Sequence, residues 1–168
     1  MDTQQQKNAG LEKIKAMAED IRIAMMTTVD DQDNLVSRPM ACMQMDADGT
    51  LWFFTKKSSP KVEQVEQHDH RVNLSFADAA NSSYISISGT AQEVDNRAKI
   101  DELWSDMAKP WFPAGKNDPE LTLLQIHTEL AEYWDSNNSR LVRLFEMARA
   151  AVTGTTYQEG ENVKVTNN

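Results

Sequence analysis

Residues 50 to 67 read TLWFFTKKSSPKVEQVEQ, and the spacing of the apolar residues changes in the middle of this stretch. TLWFFT is rich in aromatic residues, which strands favour, so it predicts a strand. In the second half, Ser59 suits a helix N-cap and Pro60 suits the first helical position. Val62 and Val65 then lie one helical turn apart. The stretch therefore predicts a strand that turns directly into a short helix.

The sequence before this stretch predicts one helix and two strands. LEKIKAMAED has apolar residues at helical spacing, which predicts a helix that ends near Asp20. IRIAMMTTV and LVSRPMACMQM are rich in residues that favour strands, and the Asp/Asn turn between them predicts a hairpin. A second turn signal follows, so TLWFFT should be the third strand of a meander.

After the short helix, RVNLSFADAA and SYISISGTAQEV predict two more strands. NRAKIDELWSDM predicts a helix with one apolar stripe. The residues of this stripe are Ile100, Leu103, Trp104 and Met107. A proline-rich loop comes next, and LTLLQIHTELAEYW predicts a final strand that ends near Trp134, with a helix as the alternative.

The C-terminal part of the chain should contribute one last helix. NNSRLVRLFEMARAAV favours this helix, whereas TGTTYQEGENVKVTNN is polar and short of core residues, so we expect residues 154–168 to form a flexible tail. The sequence contains no repeat and no linker, and residues 1–168 should form a single domain with a core over about residues 10–150. The order of elements predicts a mainly β fold with α, an antiparallel barrel of five to six strands with flanking helices.

Composition and charge exclude several classes of function. With a formal net charge of −9 over 168 residues, the surface should repel nucleic acid and anionic membranes. No apolar run approaches the roughly 20 residues that span a bilayer, and the N-terminus lacks the apolar core of a signal peptide. The single cysteine, Cys42, cannot form an internal disulfide. We therefore expect a cytoplasmic protein without nucleic-acid or membrane partners.

Common motifs for nucleotide binding, nucleophilic catalysis and metal binding are missing from the sequence. GxxxxGKS/T, GxGxxG, GxSxG and HExxH do not occur. His68, Asp69 and His70 are close together without a further ligand in evidence, which favours a solvated turn. Cys42 lies within a predicted strand without a local histidine and suits a small buried residue. We predict no metal site and assign no catalytic residue.

The turn between the aromatic strand and the short helix is basic, although the chain is acidic. Lys56, Lys57 and Lys61 occur there without an acid. A helix N-terminus with hydroxyl groups from Ser58 and Ser59 suits a small anion such as phosphate. Lys61 in the first helical turn opposes the helix dipole unless an anion compensates it. The alternative is that Lys56 and Lys57 belong to an ordinary solvated turn.

A second cation, Arg38 in SRPM, interrupts the apolar run of the second strand. A guanidinium group suits a phosphate or the acceptors of a flat heterocycle. Pairing of the second strand with the third would bring Arg38 beside WFFT, so a ligand with a phosphate at one end and a flat ring at the other fits both motifs. The alternative is that Arg38 points outward from an edge strand.

Taken together, these motifs resemble those of one protein family. SRPM, LWFFT, KKSSPKVEQV, SYISISGTAQEV, WFPAGKNDPELTLLQI and AEYWD occur in the order and spacing of the general stress protein 26 group of pyridoxamine 5′-phosphate oxidase-like flavoproteins. The similarity extends from about Ile14 to Leu144. It implies a split β-barrel that binds flavin mononucleotide (FMN) and forms a homodimer with flavin sites at the subunit interface.

The resemblance also implies which residues contact the flavin. Nine of them belong to one chain: Arg38, Pro39, Met40, Phe53, Phe54, Thr55, Ser58, Ser59 and Lys61. The first three would line the flavin from the second strand, the next three would border its ring from the third, and the last three would hold its phosphate. The partner chain would close the pocket with aromatic side chains. The candidates are Trp111, Phe112 and Trp134.

One departure from the wider superfamily limits what the resemblance implies. Its biosynthetic oxidases end with an arginine, a spacer and a histidine that hold the substrate phosphate, and this sequence contains no Arg-x-His. Two hypotheses follow: a protein that binds FMN without turnover, and an FMN-dependent oxidoreductase that passes hydride or electrons between NAD(P)H and a small acceptor. FAD or a deazaflavin in place of FMN is a weaker alternative.

Overall fold

A computed structural model of the chain describes residues 3–136, 147–151, 153 and 160–167. The helices are α1 (Thr3–Ile21), α2 (Pro60–Gln67) and α3 (Arg97–Leu103). The strands are β1 (Ile23–Val29), β2 (Leu35–Met45), β3 (Thr50–Lys56), β4 (Arg71–Asp78), β5 (Ser83–Val94), β6 (Leu121–Asp135) and β7 (Glu161–Thr166). Among these described residues, no helix has the length and apolar character needed to cross a membrane.

The first six strands close into an antiparallel barrel. Their order is β3-β2-β1-β4-β5-β6, and the barrel closes where β6 pairs with β3. The strand β7 is added to the C-terminal half of β6. The prediction of a mainly β fold with α, an antiparallel split β-barrel with flanking helices, is confirmed.

Alternate residues of the strands fill the interior of the barrel. Met26, Leu74 and Ile87 lie side by side on β1, β4 and β5, and all three are fully buried. Successive side chains of a strand point to opposite faces, so their sequence neighbours face outward. The helix α1 adds Leu11 and Ile14 to the same core. Burial of each large apolar side chain contributes about 1.5–3 kcal/mol to stability.

The strand β3 contributes to two separate cores. Leu51 and Phe53 point into the barrel. Trp52 and Phe54 point to the opposite side, where they meet residues of α3 and of the loop that follows it. The partners in this second cluster include Ile100, Leu103 and Phe112. Packing on both faces holds the end of β3, and with it Thr55, in a fixed position.

The predicted helix over NRAKIDELWSDM is wrong at its C-terminal end. The helix α3 ends at Leu103, and Trp104 has an extended backbone with φ −61° and ψ 131°. The Ser105 hydroxyl oxygen then accepts a hydrogen bond from the backbone N–H of Met107 and begins a separate 3-10 turn. A serine that bonds to nearby backbone competes with continuation of a helix. Met107 is consequently exposed instead of completing the apolar stripe.

The predicted flexible tail over residues 154–168 is wrong for the part that forms β7. This strand pairs with β6 along its whole length. Val165 is buried in the barrel core and Val163 packs against it, while Gly10 of α1 leaves the space that Val165 fills. An edge strand with only its inward positions apolar has a polar composition, which explains why the sequence pattern did not reveal it.

Two further predictions concern the region around β6. LTLLQIHTELAEYW forms β6, so the helical alternative is wrong, and this strand is not the last in the chain. The helix predicted over NNSRLVRLFEMARAAV falls mostly outside the described residues, although residues 147–151 are helical. Residues 154–159 also lie outside the described part of the chain.

Candidate functional site

The barrel opens between β2 and β3, close to the start of α2. The last paired residues of these two strands are Cys42 and Phe53. Beyond them β2 stays paired with β1, whereas β3 stays paired with β6. Arg38 and Thr55 therefore lie on the two sides of an opening. The helix α2, which packs against β1 and β5, begins at Pro60 next to this opening.

The backbone of the turn after β3 follows the predicted pattern. Ser59 is extended, with φ −72° and ψ 132°, and Pro60 is the first residue of α2. The N–H of Val62 donates to the carbonyl oxygen of Ser59 at 3.0 Å. Val62 and Val65 are buried against the barrel. This apolar face fixes the helix, and therefore fixes Lys61 in its first turn.

Lys61 folds back over the turn. Its Nζ donates to Ser59 Oγ at 2.6 Å and to Thr55 Oγ1 at 3.0 Å. Burial lowers the pKa of the Lys61 ammonium group, and the nearby positive charge of Arg38 lowers that pKa further. Both effects disfavour the charged form. An anion bound beside Lys61 would favour the charged form of the ammonium group and so counteract both burial and the charge of Arg38.

Arg38 faces the interior side of β2, so the alternative of an outward-pointing arginine is wrong. Ser37 and Pro39, its sequence neighbours, are exposed, while Arg38 and Met40 are half-buried. Burial lowers the pKa of the Arg38 guanidinium group. Met40 packs against the barrel core, and Pro39 lies on the outer face beside Met25.

Hydrogen bonds to two other elements hold the Arg38 side chain. Nη1 donates to Thr28 Oγ1 at 2.6 Å and to the carbonyl oxygen of Met26 at 3.3 Å, both on β1. Nη2 donates to Gln64 Oε1 on α2 at 3.0 Å. Every one of these acceptors is neutral. The hydrogen bonds therefore position Arg38 without compensating its positive charge.

The two cations also lack an acidic partner among the described residues. The ion pairs found there all involve other basic residues. Arg38 and Lys61, with the hydroxyl groups of Thr55 and Ser59, are referred to below as the cation site. Two neighbouring positive charges with neutral donors around them suit an anion with several oxygens, because such an anion accepts charge-assisted hydrogen bonds from both.

Ser58 is not part of this cluster. Its backbone N–H donates to Glu120 Oε2 at 3.2 Å, and its hydroxyl donates to the same oxygen. The hydroxyl bond, followed by the backbone bond, lowers the pKa of the Glu120 carboxyl group. A carboxylate of the chain itself therefore occupies the donors that the sequence assigned to a phosphate.

Lys56 and Lys57 fit the solvated alternative. Both are exposed. Lys57 Nζ donates to Asp95 Oδ2 at 2.7 Å, and this bond raises the pKa of Lys57. An exposed ion pair of this kind contributes little to stability. Of the three ammonium groups in the turn, that of Lys61 donates to the hydroxyl groups of Thr55 and Ser59.

The side chains of Phe53 and Phe54 point away from the opening. Phe53 is fully buried in the barrel. The ring of Phe54 contacts those of Trp104 and Phe112, with centroids 5.9 and 6.3 Å away. Phe112 is 4% exposed, so it belongs to the core of its own chain and cannot close a pocket of a partner without unpacking. Phe53 and Phe54 can border a ligand through their backbone.

The two tryptophan candidates lie in different elements, a loop and a strand. Trp111 is 65% exposed in the loop between α3 and β6. Trp134 lies opposite Tyr84 on the outer face, where both line a hollow of about 340 Å³. Thr122, near the start of β6, pairs with Thr55, whereas Trp134 is near the end of that strand. Contact of Trp134 with a flavin at the cation site would therefore require a second chain.

Cys42 and the histidine pair offer no other reactive centre. Burial raises the pKa of the Cys42 thiol to about 12, so it stays protonated at neutral pH and is a poor nucleophile. His68, Asp69 and His70 form the turn between α2 and β4. Within the described ranges, no three His, Cys, Asp or Glu side chains are grouped closely enough to hold a metal ion.

Thr28 and Gln64 belong to the surroundings of the cation site but were not predicted. Gln64 follows Lys61 by one helical turn, and residues at this spacing share a helix face, so the spacing could have indicated it. Thr28 carries no such signal. It meets Arg38 only through the pairing of β1 with β2, in which Met26 lies opposite Arg38.

Comparison with known proteins identifies the family. The family described as pyridoxamine 5′-phosphate oxidase like matches residues 9–158. The chain therefore belongs to the pyridoxamine 5′-phosphate oxidase-like family, and the resemblance predicted from its motifs is confirmed.

Individual relatives agree with this assignment. The crystal structure of a protein assigned to general stress protein 26 from Jannaschia sp. CCS1 is 29% identical, has a TM-score of 0.73, and covers 94% of this chain and 98% of its own. The general stress FMN/FAD binding protein from Xanthomonas citri is 30% identical, with a TM-score of 0.66 over 77% of this chain and 90% of its own. Protein bli-3 from Neurospora crassa is 25% identical over 164 residues, 92% of this chain and 78% of that protein.

Proposed function

We propose that the protein binds FMN and holds its phosphate at the cation site. The observation that carries this proposal is the pair Arg38 and Lys61, half-buried together among neutral hydroxyl and amide groups. A phosphomonoester carries a charge of about −1.5 to −2 at pH 7, so one such group matches both cations. The name of the Xanthomonas citri relative, an FMN/FAD binding protein, supports a flavin as the ligand.

The flavin ring, in this proposal, lies in the opening between β2 and β3. Beyond Cys42 and Phe53 the facing edges of the two strands are not paired with each other in the described structure. Their backbone N–H and C=O groups need other partners, and the polar edge of a flat heterocycle would provide them. The ring would then be bordered by Arg38–Met40 on one side and by the backbone of Phe53–Thr55 on the other.

Flavin binding is the function that this site supports best, and binding without turnover is the form of it that we propose. Arg38 and Lys61 act as hydrogen-bond donors, and among the described residues no carboxylate or imidazole contacts either of them. The described residues of the site therefore supply charge and orientation to a ligand. Bound FMN would itself supply a ring whose N5 can accept hydride. An FMN-dependent oxidoreductase stays an alternative hypothesis, as do FAD and a deazaflavin as ligands.

Protein reconstituted with FMN should be yellow and should retain the flavin through gel filtration. Equilibrium dialysis should give a Kd of about 1 μM or lower, because the phosphate gains charge-assisted contacts at two half-buried cations. The flavin absorbance of the retentate, measured against a protein-free chamber, checks this result. No retention of FMN at about 50 μM would overturn the proposal.

We further propose that the protein is a homodimer with a flavin at each side of the interface. The outer face of β1 and β2 beside the opening carries exposed apolar residues: Ile23 at 49%, Met25 at 42% and Leu35 at 77%. The strand register places Met25 beside Pro39 and Ile23 beside the exposed Ala41, so these four residues form one continuous apolar surface. The hydrogen-bonded pair Thr27 and Ser37 separates Leu35 from it. Continuous surfaces of this kind mark interaction sites. A second copy that covers it would also cover the neighbouring opening.

Light scattering of the FMN complex should give twice the 19.0 kDa mass of one chain. Met25→Lys places a charge in the middle of the apolar surface and should produce monomers that bind FMN more weakly, because the partner no longer closes the opening. Gln92→Lys, at an exposed position of β5, is the matched control and should leave the dimer intact. A monomer mass at saturating FMN would contradict the dimer.

A further inference from the structure

Gln64 on α2 reaches across to β1 and β2 and closes a triangle of hydrogen bonds. Its Oε1 lies 3.0 Å from Arg38 Nη2 and 2.7 Å from Thr28 Oγ1. The third side of the triangle is the 2.6 Å bond from Arg38 Nη1 to Thr28 Oγ1. Thr28 is buried and Gln64 is half-buried, so solvent does not compete freely for these bonds.

Elementary chemistry fixes the direction of each bond in this triangle. A guanidinium group can only donate, so the Gln64 atom that faces Arg38 must be the amide oxygen. Thr28 accepts from Arg38 Nη1, which leaves its own hydroxyl proton to donate to the same amide oxygen. The three residues therefore have one consistent arrangement of protons, and the guanidinium group is held in one orientation.

This orientation determines which edge of Arg38 can take a ligand. The acceptor atoms of Thr28 and Gln64 are only 2.7 Å apart, so they occupy the edge formed by Nη1 and Nη2. The carbonyl oxygen of Met26 takes a further Nη1 proton. The contacts among the described residues thus leave the second edge of the guanidinium group, formed by Nε and Nη2, for a ligand. Two parallel N–H groups on one edge match two oxygens of a phosphate group.

We propose that Gln64 is a positioning residue that holds Arg38 by its Nη1–Nη2 edge, so that the Nε–Nη2 edge can bind two phosphate oxygens. This inference rests on the proposed function and deepens it, because it assigns bidentate contact as the mode of phosphate binding and Gln64 as the residue that sets this mode. A neutral amide is essential to this role, since it orients Arg38 and leaves its charge for the ligand.

A carboxylate at the same position would have the opposite effect. It would form an ion pair with Arg38 and could also reach Lys61, which lies one helical turn earlier on α2. Both cations of the site would then be neutralised from within the chain. Glutamine and glutamate have nearly the same shape. A comparison of the two at position 64 therefore shows whether Gln64 positions Arg38 or only fills space.

The test compares Gln64→Glu with wild type in titrations with FMN and with riboflavin, which lacks the phosphate. The Kd for FMN should rise about tenfold to hundredfold in the variant, the effect of losing one charge-assisted contact. The Kd for riboflavin should change by less than about twofold, because no phosphate is present to respond to the new charge. The FMN affinity should also depend less steeply on KCl concentration in the variant than in wild type.

Two further variants keep the test decisive. Gln67→Glu makes the same charge change at an exposed position of the same helix and should alter the Kd for FMN by less than about twofold. Gln64→Met removes the acceptor without adding a charge and should raise that Kd by about threefold to tenfold, less than Gln64→Glu does. Thermal melts monitored by circular dichroism verify that each variant is folded.

The possible failures can be told apart. If both Gln64 variants shift the Kd values for FMN and riboflavin by equal factors, Gln64 has only a structural role and the inference is wrong, while FMN binding itself stands. If Gln64→Glu leaves both Kd values unchanged, the inference is equally wrong. If wild-type protein does not distinguish FMN from riboflavin, the proposed function fails and the inference fails with it.

Discussion

Replacing Lys61 by alanine should weaken FMN binding by about 1.5–3 kcal/mol, the net value of one charge-assisted hydrogen bond in a half-buried site. The Lys61 ammonium group is already held by Ser59 and Thr55, so in the proposed complex it would contact the phosphate without a large loss of side-chain entropy. Riboflavin should bind to the variant and to wild type alike. Titration of the flavin fluorescence with each protein measures both ligands under the same conditions.

Lys57→Ala is the matched control for this substitution. Lys57 belongs to the same turn and loses the same charge, but its ammonium group is exposed and paired with Asp95. Its removal should change the Kd for FMN by less than about twofold. Equal losses of FMN affinity in the two variants would show that general charge, and not contact with Lys61, attracts the ligand. Equal losses for FMN and riboflavin in Lys61→Ala would remove Lys61 from the phosphate site.

Gly89→Ala should destabilise the fold by about 3 kcal/mol or more. A Cβ atom at this position would lie 2.0 Å from the carbonyl oxygen of His127 and 3.3 Å from the Cα of Thr128. Both atoms belong to the backbone, so no change of rotamer relieves the contact. Gly89 lies at the register shift between β5 and β6, where close approach of two strands excludes a side chain. The pairing that joins these strands would have to open.

Urea unfolding monitored by tryptophan fluorescence measures this effect. Ser88→Ala, at the exposed neighbouring position of β5, serves as the control and should cost less than about 0.5 kcal/mol. A Gly89→Ala variant with the same unfolding midpoint as wild type would mean that the β5–β6 pairing tolerates a side chain there. Such a result would contradict the close strand approach on which closure of the barrel depends.

The strands could be predicted where one face is apolar and the other polar. In β5, Ile85 and Ile87 are buried while Tyr84 and Ser88 are exposed, which is the alternation that the sequence displays. The start of α2 could be predicted equally well, because Ser59 at the N-cap position and Pro60 at the first helical position are adjacent in the chain. The Ser59 side chain makes no capping hydrogen bond and instead accepts one from Lys61 Nζ. Local patterns of this kind determine most of the barrel.

Elements that depend on distant partners could not be predicted in the same way. The polar strand β7 is stable because Val165 enters a core built by α1 and the other strands. Phe112 was assigned to a partner chain, but contact with Phe54 places it in the core of its own chain. An exposed aromatic residue of an interface and a buried one of a core look alike in sequence, and only the packing distinguishes them.

In the candidate site, too, contacts between residues close in sequence could be predicted, whereas contacts between distant residues could not. Lys61 lies within six residues of both Thr55 and Ser59, so their contact could be inferred from the turn itself. The carboxylate that engages Ser58 belongs to Glu120, which is 62 residues away. The bond between Thr28 and Gln64 spans 36 residues. The register of the barrel creates both contacts, and nothing in the local sequence specifies that register.

Calorimetric titration of wild-type protein with FMN and with riboflavin, under identical conditions, decides whether Arg38 and Lys61 hold a flavin phosphate. The two ligands differ only by the phosphate group, so the ratio of their Kd values isolates its contribution. Contacts from two half-buried cations predict that FMN binds at least about hundredfold more tightly than riboflavin. Equal Kd values for the two ligands, or no binding of either, would contradict this role.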